Sequence, residues 1–525
     1  MSALEETVEQ RGVDAVARRV LETLGRPLHE RATVAALETG GIRDVDAARI
    51  APGCADVFEL GELVHARCLE LHEQRRVVAA HRNRPPAQPA GWRRLGRRYG
   101  RGLAYSLPMV VQGLALASLH VSLWGSQKLT ADQQTAIGLA LVVTLVLAGP
   151  AAQALTHRLY YYRYQGDLRA IEHSALRAVG AAAAGGLALG IASAALLALT
   201  GRGGGAAWAF SAYVALQPTM WVANAALFAI RHSLLAAGAI LLPTVLVAAG
   251  LGAGLEPLAV HAAGLALADG TLVAALILTL RRRTALAPPA RRPLPRAVLP
   301  LVVGGYAAWG LVYFALIFAD RLVAWLGGSP VAFHPAYEAA LQIALVPLVL
   351  TLPALEHVLV RFGELLEAAS RHHDPDDAAA GRRRAQRTMA WQVAIVTALY
   401  AALALGLWVL VARRPDAVPL GAGHLVAGGD AHAALGIAMI GYGCFIVALG
   451  IGSAYQLLQR PWPLVAVGSA AVLADVTVGL LARVGAAPEN AAFGLLAGGV
   501  VFMLGIALVW QVQRRRLAYL WFAAG

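Results

Sequence analysis

The sequence predicts an all-α polytopic membrane protein with about twelve transmembrane helices in two parallel six-helix bundles. Three observations predict it. The 525 residues are 58% hydrophobic and 14% charged, with a mean hydropathy of +0.59, where a soluble chain carries about 25% charged residues. From Leu103 onward, apolar segments recur at the ~20-residue length that crosses ~30 Å of hydrocarbon. Between them the basic residues fall in short clusters, which is topology information and not a nucleic-acid-binding face despite the net charge of +13. This composition excludes a disordered chain, a disulfide scaffold and an ordinary soluble enzyme. Cys54, Cys68 and Cys444 make no CxxC pair, so neither a zinc cluster nor a disulfide framework is expected.

Residues 1–92 differ from the rest. They hold 14 acidic residues and 12 arginines with no long apolar run, which also argues against a cleavable signal peptide. Helical periodicity over 12–25 (Val20, Leu21, Leu24) and 56–81 (Val57, Leu60, Val64, Cys68, Leu71) predicts a small helical cytosolic extension. The Pro85–Pro89 stretch then acts as a linker. Spans follow at 103–124, 135–157, 178–199, 206–230, 233–254 and 257–280, which place the first bundle in 93–280. A basic cytosolic linker occupies 281–296. Spans at 297–318, 339–360, 390–412, 431–457, 463–482 and 492–512 place the second bundle in 297–512, and 513–525 form a cytosolic tail. The longest outside loops are about 319–338 and 413–430. The largest inside loop, 361–389, begins amphipathic (Phe362, Leu365, Leu366) and ends in Gly381-Arg-Arg-Arg.

Arginine sets the orientation. With the N-terminus inside, the inside segments after residue 92 carry 26 basic residues. The outside segments carry six: Lys128, Arg202, Arg321, Arg413, Arg414 and Arg483. Both termini are therefore expected in the cytoplasm, with the chain in the cytoplasmic membrane. The two halves also resemble each other. Leu107-Pro108-Met-Val-Val-Gln-Gly113 parallels Leu299-Pro300-Leu-Val-Val-Gly-Gly305. Pro150 with Arg158 parallels Pro353 with Arg361, each arginine eight residues after its proline. Six helices per half give both halves the same orientation, a parallel repeat of the kind that rocks around a central site.

Charge inside a membrane costs at least ~2.5–3.5 kcal/mol per residue on insertion scales, so each such group asks for a role. Asp269 lies midway in the sixth span and Asp475 in the eleventh. They are either coupling carboxylates of a hydrated path or helix–helix glue. Glu356, with His357, lies toward the inner end of the eighth span, with Arg361 placed to pair and an interface or gating role expected. Asp320 and Arg321 close the seventh span toward the outside, and a boundary ion pair is the plain alternative. Gln112, Tyr213, Gln217, Asn224, Tyr306, Trp309, Tyr313 and Gln342 add polar and aromatic groups. Tyr306, Trp309 and Tyr313 share a face by i, i+3, i+7 spacing. Aromatic faces with amide donors suit sugar rings; packing and interfacial belts use the same residues.

Several chemistries are excluded. A P-loop needs Gly-Lys-Ser/Thr, and the only lysine is Lys128 in Ser-Gln-Lys-Leu. There is no HExxH motif, and the long acidic outside loop expected of a glycosyltransferase with a lipid-linked donor is missing. No enzymatic activity and no cofactor or metal are expected.

The stretch Ala148-Gly149-Pro150, Gln153, Thr156, Arg158 and Tyr160-Tyr-Tyr-Arg-Tyr resembles the second helix of the PelG family, inner-membrane transporter-like components of Pel exopolysaccharide machinery. A second block is similar to that family's Asp-Lys, Phe-Trp, Pro-x-Tyr-Asp, Ile-Pro and Val-Glu-Thr landmarks. Its residues are Asp320-Arg321, Trp325, His334-Pro-Ala-Tyr-Glu338, Val346-Pro347 and Glu356. Arg321 stands for lysine and Glu338 for aspartate, which makes the chain a divergent relative over residues 100–515. The resemblance implies the fold of the multidrug/oligosaccharidyl-lipid/polysaccharide flippases. It also implies passage of a nascent, hexosamine-rich polysaccharide across the membrane, with a cytosolic glycosyltransferase and other membrane subunits as partners. On this reading Asp320, Arg321, Glu338 and Glu356 gate or support a path lined by Gln217, Tyr306, Trp309 and Tyr313. The arginine-rich inner face then docks a partner or anionic lipid. The alternatives are an ion-coupled exporter of small amphiphilic molecules, with Asp269 or Asp475 as coupling carboxylate, and a non-transporting scaffold of a synthesis complex.

Overall fold

A computed structural model describes residues 3–24, 27, 29–82, 91–126, 128–201, 203–285, 299–326, 334–370, 375–418 and 422–522. The Pro85–Pro89 linker and most of the 281–296 linker lie outside the described residues. The chain divides into two compact units, Met1–Arg94 and Leu95–Gly525.

The first unit contains α1 (Ala3–Leu24), α2 (Glu30–Thr39), α3 (Asp44–Ile50) and α4 (Val57–Arg82). Their apolar stripes meet in one core of Val13, Ala17, Val20, Leu37, Ala47, Leu60, Val64 and Cys68. The Asp56 carboxylate caps α4 by accepting from the Phe58 and Glu59 amides, both at 2.9 Å. Arg67 of α4 donates to Asp14 of α1 through two nitrogens, one at 3.2 Å, and to Glu70 at 2.5 Å. That hydrogen bond holds the Asp14 carboxyl below its usual range. Burial pushes the Cys68 thiol up to about 11, which makes it an inert core group.

The second unit begins with α5 (Gly91–Leu119) and a short hairpin, β1 (Val121–Ser122) against β2 (Gly125–Ser126). It continues through α6 (Ala131–Tyr164), α7 (Leu168–Leu199), α8 (Gly205–Ala229), α9 (Ser233–Gly252) and α10 (Pro257–Thr284). The other half holds α11 (Leu299–Trp325), α12 (Pro335–Ser370), α13 (Pro375–Arg413), α14 (Ala422–Val426) and α15 (Gly429–Leu457). Last come α16 (Trp462–Arg483), α17 (Ala492–Gln513) and α18 (Leu517–Phe522).

The twelve expected spans each coincide with one long helix, and ten of these are long and apolar enough to cross a membrane. The exceptions are α5, whose first half carries Arg97, Arg98 and Arg101 and whose apolar part is Ser106–Leu116, and α8. α8 carries Gln217, Thr219 and Asn224, yet it is buried by α6, α7 and α10, so its polar groups face protein. α7, in contrast, turns most of its apolar surface outward.

Hydropathy misplaced several ends. The first span stops at Leu119, not 124, because the chain turns into the hairpin. Gln112 and Tyr213 serve that hairpin: Gln112 accepts from the Leu123 amide at 2.7 Å and Tyr213 donates to the Leu123 carbonyl at 2.7 Å. Buried backbone requires such partners. The expected loops 319–338 and 361–389 are largely helical, since α11 runs to Trp325, α12 from Pro335 to Ser370 and α13 from Pro375. A helix continues past the point where apolar residues stop, because its hydrogen bonds are internal.

The two halves have separate cores. One gathers residues between Val121 and Leu280, the other residues from Trp309 to Leu520 together with Val142. They meet along two seams related by the sequence repeat. On the first, α6 crosses α11 at Gly149 and Gly310, where a Cβ on Gly310 would stand 2.5 Å from the Gly149 carbonyl oxygen. On the second, α5 meets α12, where a Cβ on Gly102 would stand 2.6 Å from the Pro353 carbonyl oxygen. Small residues let backbones approach closely where lipid supplies no hydrophobic drive.

Candidate functional site

The densest charge in the second unit is a network near the end of the second half that lies opposite the arginine-rich helix ends. α11 delivers Asp320 and Arg321, five and four residues before its end, and α12 delivers Tyr337 and Glu338 in its first turn. All are buried: Asp320 is 0% exposed, Arg321 4% and Glu338 5%. Arg321 lies between the two carboxylates, with Nε 3.4 Å from Glu338 Oε2 and Nη1 3.8 Å from Asp320 Oδ1. Its Nη1 also donates to the Ile317 carbonyl at 2.7 Å and to the Tyr442 hydroxyl at 3.4 Å. Tyr337 donates to Asp320 Oδ2 at 2.7 Å, and Trp325 Nε1 donates to Glu338 Oε1 at 2.9 Å.

Asp475 of α16 extends this network. It is fully buried and lies within electrostatic reach of Asp320 and Arg321. Two glycines of α17 enclose it: a Cβ on Gly494 would stand 2.6 Å from Asp475 Oδ1, and one on Gly498 2.9 Å from Asp475 Cβ. Among the described residues, neither carboxylate oxygen of Asp475 has a hydrogen-bond donor. Two carboxylates thus flank one guanidinium, with Asp475 within electrostatic reach. No group of His, Cys, Asp or Glu side chains among the described residues is arranged to hold a metal ion.

The other expected site residues do not converge on this network. Asp269 is buried on α10 in the first half, with Oδ1 unpartnered among the described residues. Gln217 is fully buried on α8, where its Oε1 accepts from Thr144 of α6. Trp309 packs in the second core against Tyr313 (ring centroids 5.7 Å apart) and Phe502 (5.8 Å). Tyr306 instead lies at the first seam, stacked on His157 of α6 at 3.7 Å between centroids. In this conformation these four are core and seam groups.

Two pairings differ from expectation. Asp320 and Arg321 pair with each other at 3.8 Å, but α11 runs past them and α12 and α16 bury them. Arg361 pairs not with Glu356 but with Glu364, one turn further along, at 3.2 Å. Glu364 also pairs with Arg98 of α5, and Tyr99 donates to the Leu350 carbonyl at 2.8 Å. Glu356 is half-buried on α12. Both seams are thus tied toward the arginine-rich end, one by Arg98–Glu364 and one by His157–Tyr306. Sequence reasoning missed Arg98–Glu364 and Tyr442. An i, i+3 acidic neighbour of Arg361 was the available signal for the first; nothing local marks Tyr442.

No family model matches the chain, and no curated protein matches it. Solved structures do. A Vibrio cholerae MATE transporter, VcmN, superposes with a TM-score of 0.57 at 14% identity over 82% of this chain and 98% of its own. A MOP superfamily transporter from Pyrococcus furiosus gives 0.53 at 13% identity over 81% and 96%. The eukaryotic MATE transporter AtDTX14 gives 0.53 at 12% identity over 81% and 98%. This chain therefore has an all-α, flippase/exporter-like membrane fold.

Proposed function

We propose that this chain is a membrane transporter subunit that passes a nascent polysaccharide across the cytoplasmic membrane, working beside a cytosolic glycosyltransferase and other membrane subunits. One observation carries the reading. The landmarks that resemble the PelG family, Asp320-Arg321, Trp325 and Pro335-x-Tyr337-Glu338, form one hydrogen-bonded unit at the joint between α11 and α12. The resemblance thus rests on residues that act together. A threaded polymer needs two halves that hold a path open, and this network braces one half where its helices turn. The arginine count supports an orientation that puts it at the outer side, with both termini inside.

A second reading has its own observation. Three buried carboxylates against one arginine leave two negative charges in excess when all are ionised, and uncompensated buried charge is costly. Exchange of a proton at Asp475 or Asp320 would drive an ion-coupled exporter of small amphiphilic molecules, a cargo class that suits the MATE-type neighbours.

One experiment separates the readings. Inverted vesicles containing the partner synthase, with and without this chain, receive labelled nucleotide sugar, and the polymer protected from added glycosidase is measured. Protection that depends on this chain and falls with Asp320→Asn supports polymer passage. Equal polymer with no protection, together with proton-driven movement of an amphiphilic dye that Asp475→Asn abolishes, supports the exporter instead.

A further inference from the structure

A cavity of about 1090 Å³ opens between α13, α15 and α17, apart from the charge network and from both seams. Its mouth is lined by Arg382, Arg383 and Arg387 of α13 and by Arg514 and Arg515 beyond α17. Among the described residues, no Asp or Glu lines it and none of the five arginines pairs with a carboxylate. Arg98 and Arg361, also at this end of the helices, are by contrast both committed to Glu364. Gln386 donates to the Arg514 carbonyl at 3.1 Å, which fixes the two arginine-bearing segments as opposite rims of one mouth.

Below the mouth the chemistry changes. One face of α13 presents Ala390, Ala394, Ala398 and Ala401, spaced at i, i+4 and i+3. Val447, Ile451 and Ala507 form the facing wall. The eleven helical rises from Ala390 to Ala401 make this trough ~16 Å long, about one leaflet of a ~30 Å hydrocarbon core. Exposed aromatics mark the depth of the mouth: Trp391 is 69% exposed one turn past Arg387, and Tyr519 of α18 is 65% exposed. Tryptophan and tyrosine collect at headgroup level. An arginine rim at headgroup depth above an apolar trough one leaflet long matches an anionic phospholipid in both charge and shape.

We propose that this groove is a binding site for one anionic phospholipid, its phosphate held by Arg382, Arg383, Arg387 and the Arg514–Arg515 rim and one acyl chain lying along Ala390–Ala401. Arginine forks suit phosphate oxygens, and the anionic cytoplasmic leaflet supplies such a lipid at this level. The site does not depend on what the protein transports.

The purified full chain in non-ionic detergent, titrated with phosphatidylglycerol or phosphatidylcholine of the same acyl chains, tests this by native mass spectrometry. The expected result is one retained phosphatidylglycerol per chain and at least tenfold less phosphatidylcholine. The triple variant Arg382→Gln/Arg383→Gln/Arg387→Gln lowers phosphatidylglycerol retention at least tenfold. Ala394→Trp/Ala398→Trp, which fills the trough and leaves the rim intact, does the same. Equal retention of the two lipids by the unmodified chain overturns the proposal without recourse to any variant. So does phosphatidylglycerol retention unchanged in both variants. Displacement of the lipid by millimolar inorganic phosphate, with phosphate still bound by the trough-filled variant, would make this an oxyanion site and not a lipid site.

Discussion

The two halves of the membrane unit use the same number of long helices but bury different chemistry. The second half gathers Asp320, Arg321, Glu338 and Asp475 within one network, braced by Tyr337, Trp325 and Tyr442. The first half buries one mid-span carboxylate, Asp269, and joins its helices through neutral pairs such as Thr144–Gln217 and Gln112–Thr244 and through arginine bonds to carbonyls, Arg163 to Ala229 and Arg283 to Ile230. Buried charge is costly, and the second half carries more of it.

The sharpest way to break this contrast is Arg321→Ala. It leaves Asp320 and Glu338 without the cation between them, and removing one partner of a buried pair costs about 3–5 kcal/mol. Thermal unfolding in detergent should show that loss, whereas Asp269→Asn should leave the melting temperature near wild type. Arg321→Met combined with Glu338→Gln should recover most of the deficit. A wild-type melting curve for Arg321→Ala would remove the energetic basis of the contrast.

The seam comes next. Gly310→Val forces a side chain against the Gly149 backbone and should cost about 1–3 kcal/mol. Gly304→Val, on the same helix with no atom near its would-be Cβ, serves as the control and should cost nothing measurable. In the first half, Thr144→Val removes the donor to Gln217 and should cost about 0.6 kcal/mol, the average for a hydrogen bond between membrane helices. An effect as large as that of Arg321→Ala would mean that the halves do not differ in kind.

The smallest expected effect lies in the first unit. Asp14 is held below its usual range by Arg67. Its contribution is therefore present above the unfolded carboxylate value of about 3.9 and is lost as pH falls through the lower folded value. Asp14→Asn should cost about 1 kcal/mol or less at neutral pH. Hydrogen exchange of α1 and α4, compared with wild type at each pH, should differ at pH 7 and converge as pH falls below the lowered folded value. A constant difference across that range would rule out Asp14 ionisation as the cause.

The sequence by itself determined the approximate position of the twelve long helices, ten of them long and apolar enough to cross a membrane, because ~20 apolar residues in a row have few other ways to fold. It also marked Asp320, Arg321 and Asp475 individually, since ionisable groups are rare in such segments, while Glu338 was marked only by the family resemblance. The helix ends were less legible. Hydropathy reports where lipid stops, while backbone hydrogen bonding carries α11 to Trp325 and α12 to Ser370. Only the tertiary structure joined Asp475 on α16 to Asp320 on α11, separated Tyr306 at a seam from Trp309 in a core, and gave Glu364 to both Arg98 and Arg361. Those outcomes depend on which helix faces pack together. Side-chain periodicity assigns residues to a face, but the partner of that face is fixed by close glycine contacts such as Gly149–Gly310 and Gly494–Asp475, which no local pattern specifies.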